Sequence, residues 1–144
     1  MRIGVIGLGF VGLSLASVLG AKNYRVMGFD SDRTKSFEIK NGNPPFYEPK
    51  LEDTMRLALK KGFTIENNIS PIVDNCKLIF ITVGTPQKKD GSIDLSMVKS
   101  VIEQIGKLLK TTKNKPIIVI KSTVVPGTTI NVLLPILNKK SSKK

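Results

Sequence analysis

The sequence predicts a doubly wound α/β domain, a parallel sheet covered by helices on both faces. Two observations lead there. Short unbroken apolar runs, the signature of strands buried on both sides, alternate with segments of helical period. The first of these runs, moreover, passes through the glycine-rich stretch "GVIGLGFVG" at residues 4–12 before the first helical segment begins. At 144 residues the chain is one ordinary domain with room for a sizeable core.

Taken in order, "MRIGVI" is a short buried strand and "FVGLSLASVLGAK" a helix, followed by the strand "YRVMGFD". "SDRTKSFEIKNG" is a short helix with Ser31 or Asp32 as its N-cap and Gly42 beyond its end. The prolines of "NPPFYEP" make that segment a loop. In "KLEDTMRLALKKG", Leu51, Met55, Ala58 and Leu59 share one helical face, and Gly62 stops the helix. A small strand near "FTIEN" comes next, and then the strong buried strand "KLIFITVG".

"DLSMVKSVIEQIGKLLK" is the clearest helix, because Val98, Val101, Ile102, Ile105 and Leu109 recur at helical spacing and Asp94 is placed to cap it. "KPIIVIKS" is the last apolar strand. "PGTTINVLLPILNKK" is a final helix, with Pro126 near its first turn and Pro135 bending or interrupting it.

Composition removes several classes of function. With one cysteine and no histidine, the usual zinc-ligand sets, an internal disulfide and every Ser-His or Cys-His nucleophile pair are excluded. The net charge of +12 suggests nucleic acid until it is mapped: residues 1–106 carry 14 basic and 11 acidic side chains, whereas 107–144 carry nine lysines and no acid. The excess reads as a solvated C-terminal face and tail, with no aromatic residue to stack a base, so no specific nucleic-acid partner is expected.

Residues 3–21 hold 19 uncharged positions after Arg2, which fits a signal peptide, a membrane helix, or a strand entering a glycine turn. Only the last explains each glycine of "GLGFVG". Gly7 permits the tight turn out of the strand, Gly9 lets backbone approach a pyrophosphate, and Gly12 lets the helix pack closely. The helix head then aims unsatisfied N–H groups at the phosphates. This reading requires an acid about 20 residues further on, at the end of a second strand. Asp30 stands 18 residues after Gly12, at the end of "YRVMGFD". A carboxylate there accepts from ribose hydroxyls and repels a 2′-phosphate, so NAD is favoured over NADP, with Arg33 and Lys35 tempering the preference. The fold is therefore of the Rossmann type, and no membrane segment is expected.

Ligands of doubly wound sheets sit beyond the carboxyl ends of the strands, which directs attention to "VGTPQKKDGS" and "KSTVVPGTT". Gly84 and Gly127 allow close backbone approach, and Thr85, Ser122 and Thr123 offer hydroxyls. Ser122 or Thr123 is equally suited to capping the last helix.

The ordered set "IGLGFVGLSLA", "GFDSDRTK", "NPPFYEP", "VGTP", "DGSIDLS" and "KSTVVPGTT" resembles the UDP-glucose/GDP-mannose dehydrogenase family across essentially the entire chain. Its last three motifs look most like the UDP-glucose 6-dehydrogenase branch, with a UDP-N-acetyl-hexosamine dehydrogenase as the alternative. The resemblance implies a two-step oxidation of a sugar C6 alcohol to a carboxylate, consuming two NAD and passing through a thiohemiacetal on a cysteine. By the same resemblance, Gly7, Gly9 and Gly12 contact the pyrophosphate, Asp30 and Lys35 the adenosine ribose, and Val83, Thr85 and Pro86 line the cofactor cleft. Phe10, Val11, Ser122 and Thr123 complete the candidate cofactor contacts, and Thr123 is also the candidate catalytic residue, positioning a water near the reacting carbon.

The catalytic glutamate, lysine, asparagine and cysteine that the resemblance implies have no counterpart here. Cys76, in "DNCKLIF" at the entrance to a buried strand, reads as a small core thiol. The expectation is an NAD-binding domain over residues 1–138 and a basic tail over 139–144, without the central and C-terminal UDP-sugar-binding domains. Such a chain binds NAD without completing the reaction alone, as a domain separated from its enzyme, a truncated frame or half of a split enzyme. Its expected setting is cytoplasmic, and its partners a UDP-sugar and a homodimer mate or partner subunit. A non-catalytic NAD-binding module is the competing class, and a hydroxy-acid dehydrogenase of similar fold a third.

Overall fold

Five strands form one sheet in the order β3-β2-β1-β4-β5, and every neighbouring pair is parallel. They are β1 (Arg2–Ile6), β2 (Arg25–Phe29), β3 (Thr64–Ile65), β4 (Leu78–Ile81) and β5 (Ile117–Ile120) in the computed structural model, which describes residues 1–141. Chain order reverses between β1 and β4, and a doubly wound sheet opens its ligand crevice at that point. The 19 uncharged residues are thus divided between the last four residues of β1, a three-residue turn and the 12-residue helix α1 (Phe10–Ala21). Among the described residues no helix is long and apolar enough to cross a membrane.

The pleat sends alternate residues of each strand to opposite faces, so neighbours in sequence enter different cores. Val5, Val26 and Ile65 face α1, α2 (Arg33–Lys40) and α3 (Leu51–Lys60), packing with Leu13, Ala16, Ile39, Met55 and Ala58. On the other face Ile6, Ile79 and Ile81 pack with α4 (Ser70–Asn75) and α5 (Ser96–Leu108), meeting Ile72, Val73, Val98, Ile102 and Ile105. Each such aliphatic side chain contributes roughly 1.5–3 kcal/mol on burial, which is why α5 forms where its apolar spacing places it.

The ends of the helices follow local chemistry. Asp32 is the N-cap of α2 and accepts the Lys35 amide at 3.0 Å. Gly42 and Gly62 take positive φ just beyond α2 and α3, the left-handed stop that glycine tolerates best. Asp94 accepts the Ser96 amide at 2.8 Å, and that bond holds its carboxyl below the usual range, but the N-cap position itself belongs to Leu95.

Three features differ from expectation. α4 was not anticipated; six residues starting Ser-Pro are too short to show a period. The last helix starts later than Pro126, because Gly127 takes φ +86° between that proline and the helix. It then opens as a π-turn over Thr129–Leu133, where the Leu134 N–H donates to the Thr129 carbonyl, before α6 (Leu134–Ser141). Pro135 has no N–H and crowds the preceding turn, and the wide turn upstream accommodates it. Lys139 and Lys140, which close the expected final helix and also open the expected basic tail, lie inside α6, and Lys140 Nζ stands 3.8 Å from Glu103. The remaining tail positions, 142–144, lie outside the described residues.

Candidate functional site

The β1–α1 turn sits at the reversal of strand order, and glycine is required in it twice. Gly7 has φ +97°, and a β-carbon there would stand 2.8 Å from the Thr82 carbonyl carbon. A β-carbon on Gly12 would run into the Gly7 carbonyl oxygen and stand 2.6 Å from Thr82 Oγ1. Gly12 therefore lets α1 begin in contact with the turn that precedes it. Gly9 is different: a β-carbon there would meet nothing within 4 Å, so its backbone is open to an incoming group.

Hydrogen bonds fix this turn from both sides. The Gly7 N–H donates to the Phe29 carbonyl at 2.8 Å and the Leu8 N–H to Asp30 Oδ2 at 2.7 Å. From the position just after β4, Thr82 Oγ1 donates to the Gly7 carbonyl at 2.7 Å and lies 3.1 Å from that of Ile6. The first turn of α1 leaves N–H groups with no intrahelical partner, and no side chain caps them. They form the positive end of the helix dipole, suited to an anion.

A cleft of about 790 Å³ opens beside the turn, within the usual range for a small-molecule site. Of the sequence-predicted residues, Gly7, Gly9, Asp30, Lys35, Val83 and Gly84 line it. Asp30 is only 8% exposed. Its Oδ2 accepts from Leu8 and from Lys35 Nζ at 3.1 Å, and its Oδ1 from the Asp32 N–H at 2.9 Å. A carboxylate has about four acceptor positions, so one on Oδ1 remains for a ligand hydroxyl.

The other predicted residues lie outside the cleft lining. Gly12 is buried beneath the turn. Phe10, 63% exposed, stacks on Phe46 with ring centroids 4.0 Å apart, and Val11 is exposed beside it at the helix head. Thr85, Pro86, Ser122 and Thr123 gather instead at the adjoining ends of β4 and β5. There Thr85 Oγ1 donates to the Thr123 carbonyl at 2.8 Å and Ser122 Oγ to the Val83 carbonyl at 2.6 Å. These two hydroxyl protons are spent on joining the strand ends, leaving their oxygens as acceptors. Neither Ser122 nor Thr123 caps the last helix, whose N-cap position is Thr128.

Thr82 and the α5 wall, formed by Ser96, Met97, Ser100, Val101 and Gln104, were not among the sequence-predicted site residues, Val101 being read there only as core spacing. Ser96, Ser100 and Gln104 follow one another at four-residue spacing, a polar stripe on a helix whose opposite face is core, and that is the signal they offered. Cys76 is fully buried, and burial pushes its thiol up to about 11, against a smaller lowering by Arg2. It is no nucleophile in this environment. Among the described residues no cluster of acidic, cysteine or histidine side chains is placed to hold a metal.

The turn, the uncapped helix head, the open backbone at Gly9 and the free acceptor on Asp30 together fit a dinucleotide. Known proteins are similar to this chain in sequence and fold. The chain is 39% identical over 145 residues to a GDP-mannose 6-dehydrogenase of Pseudomonas syringae pv. syringae, covering 100% of this chain and 33% of that protein. It is 36% identical to a putative UDP-glucose 6-dehydrogenase of Bacillus subtilis, over 99% of this chain and 32% of the relative. In three dimensions it superposes on GDP-mannose dehydrogenase from Pseudomonas aeruginosa, solved as a ternary complex, with a TM-score of 0.96 and 36% identity, covering 100% of this chain and 33% of that one. The chain thus spans about a third of the length of the curated relatives it matches. The family model "UDP-glucose/GDP-mannose dehydrogenase family, NAD binding domain" matches residues 1–144, and the chain belongs to that family, as its NAD-binding domain.

Proposed function

We propose that this chain is the cofactor-holding part of a nucleotide-sugar 6-dehydrogenase. The observation that carries the proposal is the Gly7–Gly12 turn, left-handed at Gly7 and open at Gly9, with Asp30 beside it. Gly7, Gly9 and the first-turn amides of Phe10 and Val11 would hold the pyrophosphate, with Gly12 providing the fit beneath. Asp30, supported by Lys35, would take the adenosine ribose, and its negative charge disfavours a 2′-phosphate. When bound, NAD supplies the hydride acceptor for oxidation of an alcohol carbon. Val83 in the cleft, with Thr85, Pro86, Ser122 and Thr123 at the adjoining strand ends, would form the far end of the site, where Thr123 would position a water near the reacting carbon.

The finer reading is oxidation of UDP-glucose to UDP-glucuronate with two NAD; GDP-mannose is the competing sugar, by the names of the relatives. A second reading, a non-catalytic NAD-binding module, is favoured by Cys76: a buried thiol held up at about 11 gives the second oxidation no covalent route within this chain. The thiol and the sugar-binding wall would then come from a further segment, a homodimer mate or a partner subunit.

Calorimetric titration with NAD and NADP, followed by NADH formation assays with UDP-glucose and GDP-mannose, tests both readings. The expected result is binding of NAD in preference to NADP, and no uronate from either sugar by this chain alone. Absence of binding to either dinucleotide would refute the cofactor assignment. Uronate formed by this chain alone would refute the need for an outside thiol.

A further inference from the structure

Asp30 makes more contacts than ribose recognition requires. Its carboxylate, nearly buried at the end of β2, is bonded to three separate places: the Leu8 N–H in the glycine turn, the Asp32 N–H before α2, and Lys35 Nζ on α2. The Leu8 bond is short at 2.7 Å and buried, and Leu8 is the residue between Gly7 and Gly9. Its side chain is fully buried, so the peptide cannot rotate to offer its N–H elsewhere without unpacking the core. The adjacent tie, from Gly7 N–H to the Phe29 carbonyl, is main chain to main chain and survives any substitution at position 30. The second side-chain tie, from Thr82, holds the carbonyl side of the turn and leaves the Leu8 amide untouched.

We infer that Asp30 is a positioning residue for the phosphate-binding turn, holding the Leu8 peptide so that the backbone at Gly9 faces the diphosphate. The inference rests on the dinucleotide reading above. Charge and positioning oppose each other in it. A carboxylate beside a diphosphate repels it, so if charge were its whole contribution to the phosphates, removing Asp30 would strengthen binding of a bare diphosphate. If Asp30 orders the turn, removing it weakens that binding. One consequence concerns cofactor choice: Asp30→Ala, which removes the repulsion toward a 2′-phosphate, does not produce a good NADP binder, because both dinucleotides need the same turn.

The test uses inorganic pyrophosphate, which has no ribose, beside NAD and NADP. Each is titrated by calorimetry against wild type, Asp30→Asn and Asp30→Ala at one fixed ionic strength, with thermal unfolding of the ligand-free proteins alongside. Asparagine keeps an oxygen for the Leu8 N–H and sheds the charge, so Asp30→Asn binds pyrophosphate at least as well as wild type. Asp30→Ala loses about tenfold relative to Asp30→Asn, the cost of a buried amide left without its partner. Asp30→Ala binding pyrophosphate as well as Asp30→Asn would overturn the inference. Should Asp30→Ala fail to fold, hydrogen exchange of the Leu8 amide decides. Protection shared by wild type and Asp30→Asn supports the tie, and exchange in wild type as fast as in an exposed loop overturns it. A wild type that binds neither pyrophosphate nor NAD refutes the dinucleotide reading itself, a result distinct from any difference between the variants.

Discussion

Gly9 and Gly12 are three residues apart in one motif, yet their replacement by alanine has opposite consequences. At Gly12 the new methyl would overlap the Gly7 carbonyl oxygen and stand 2.6 Å from Thr82 Oγ1 and 2.9 Å from the Gly7 carbonyl carbon. Ordinary carbon contacts lie at about 3.5–4.0 Å. Two of the three obstacles are backbone, so no rotamer change relieves them. Overpacking of this kind costs about 1–3 kcal/mol, and displacing Thr82 from the Gly7 carbonyl adds about 1 kcal/mol. Alanine's better helix propensity returns at most about 1 kcal/mol. The net loss is about 2 kcal/mol. For 144 residues, an unfolding entropy near 2.1 cal/mol/K per residue converts that to a fall in Tm of about 7 °C.

At Gly9 the backbone, φ −75° and ψ −163°, suits alanine, and the methyl meets nothing within 4 Å. Gly9→Ala therefore leaves the ligand-free protein within about 1 kcal/mol of wild type, the scale of an N-cap change. Its methyl stands where the diphosphate approaches, and each charge-assisted hydrogen bond lost is worth about 1.5–3 kcal/mol, so NAD affinity falls roughly 10- to 100-fold. Circular dichroism melts without ligand and calorimetric titration with NAD read the two effects separately. Gly12→Ala melting with wild type, or Gly9→Ala binding NAD undiminished, would refute the reasoning.

Two further outcomes concern the core. Ser17 Oγ is buried without a hydrogen-bond partner, so Ser17→Ala raises stability by about 1 kcal/mol, read as a higher urea midpoint at unchanged slope; a lower midpoint would show that the hydroxyl has a partner. The Cys76 thiol is raised in the folded protein to about 11, so its contribution is complete below the ordinary thiol range and is lost as pH rises toward the raised value. The stability advantage of wild type over Cys76→Ala therefore shrinks between about pH 9 and pH 11, and a difference that stays constant across that window would contradict the burial argument.

Much of this was legible in the sequence because strong local signals agreed with one another. The apolar runs of β1, β4 and β5 and the spacing of Val98, Ile102 and Ile105 are signals within single elements, and the pairing of "GLGFVG" with Asp30 lies within one strand-helix-strand unit. What escaped depends on contacts distant in sequence. Thr82 looks like one more strand-former, and its role appears only when β4 is laid beside β1 and its hydroxyl reaches Gly7. The α5 stripe of Ser96, Ser100 and Gln104 is indistinguishable from a solvated helix face until the sheet places a cleft in front of it. The strain of Pro135 was readable, but its location was not: the chain relieves it upstream, over Thr129–Leu133. Lys139 and Lys140 were legible both as the end of the last helix and as the start of a basic tail, and α6 realises the helical reading, with Ile136 and Leu137 packed against the core.

Val5 and Ile6 are adjacent in sequence and belong to different apolar clusters. The protein therefore has two interiors separated by one sheet, and substitutions in one are largely independent of substitutions in the other. Each half is free to drift at its own pace, exchanging one aliphatic residue for another without consulting the opposite side. The seam along β1 and its following turn has no such liberty, since a change there is felt by both halves at once.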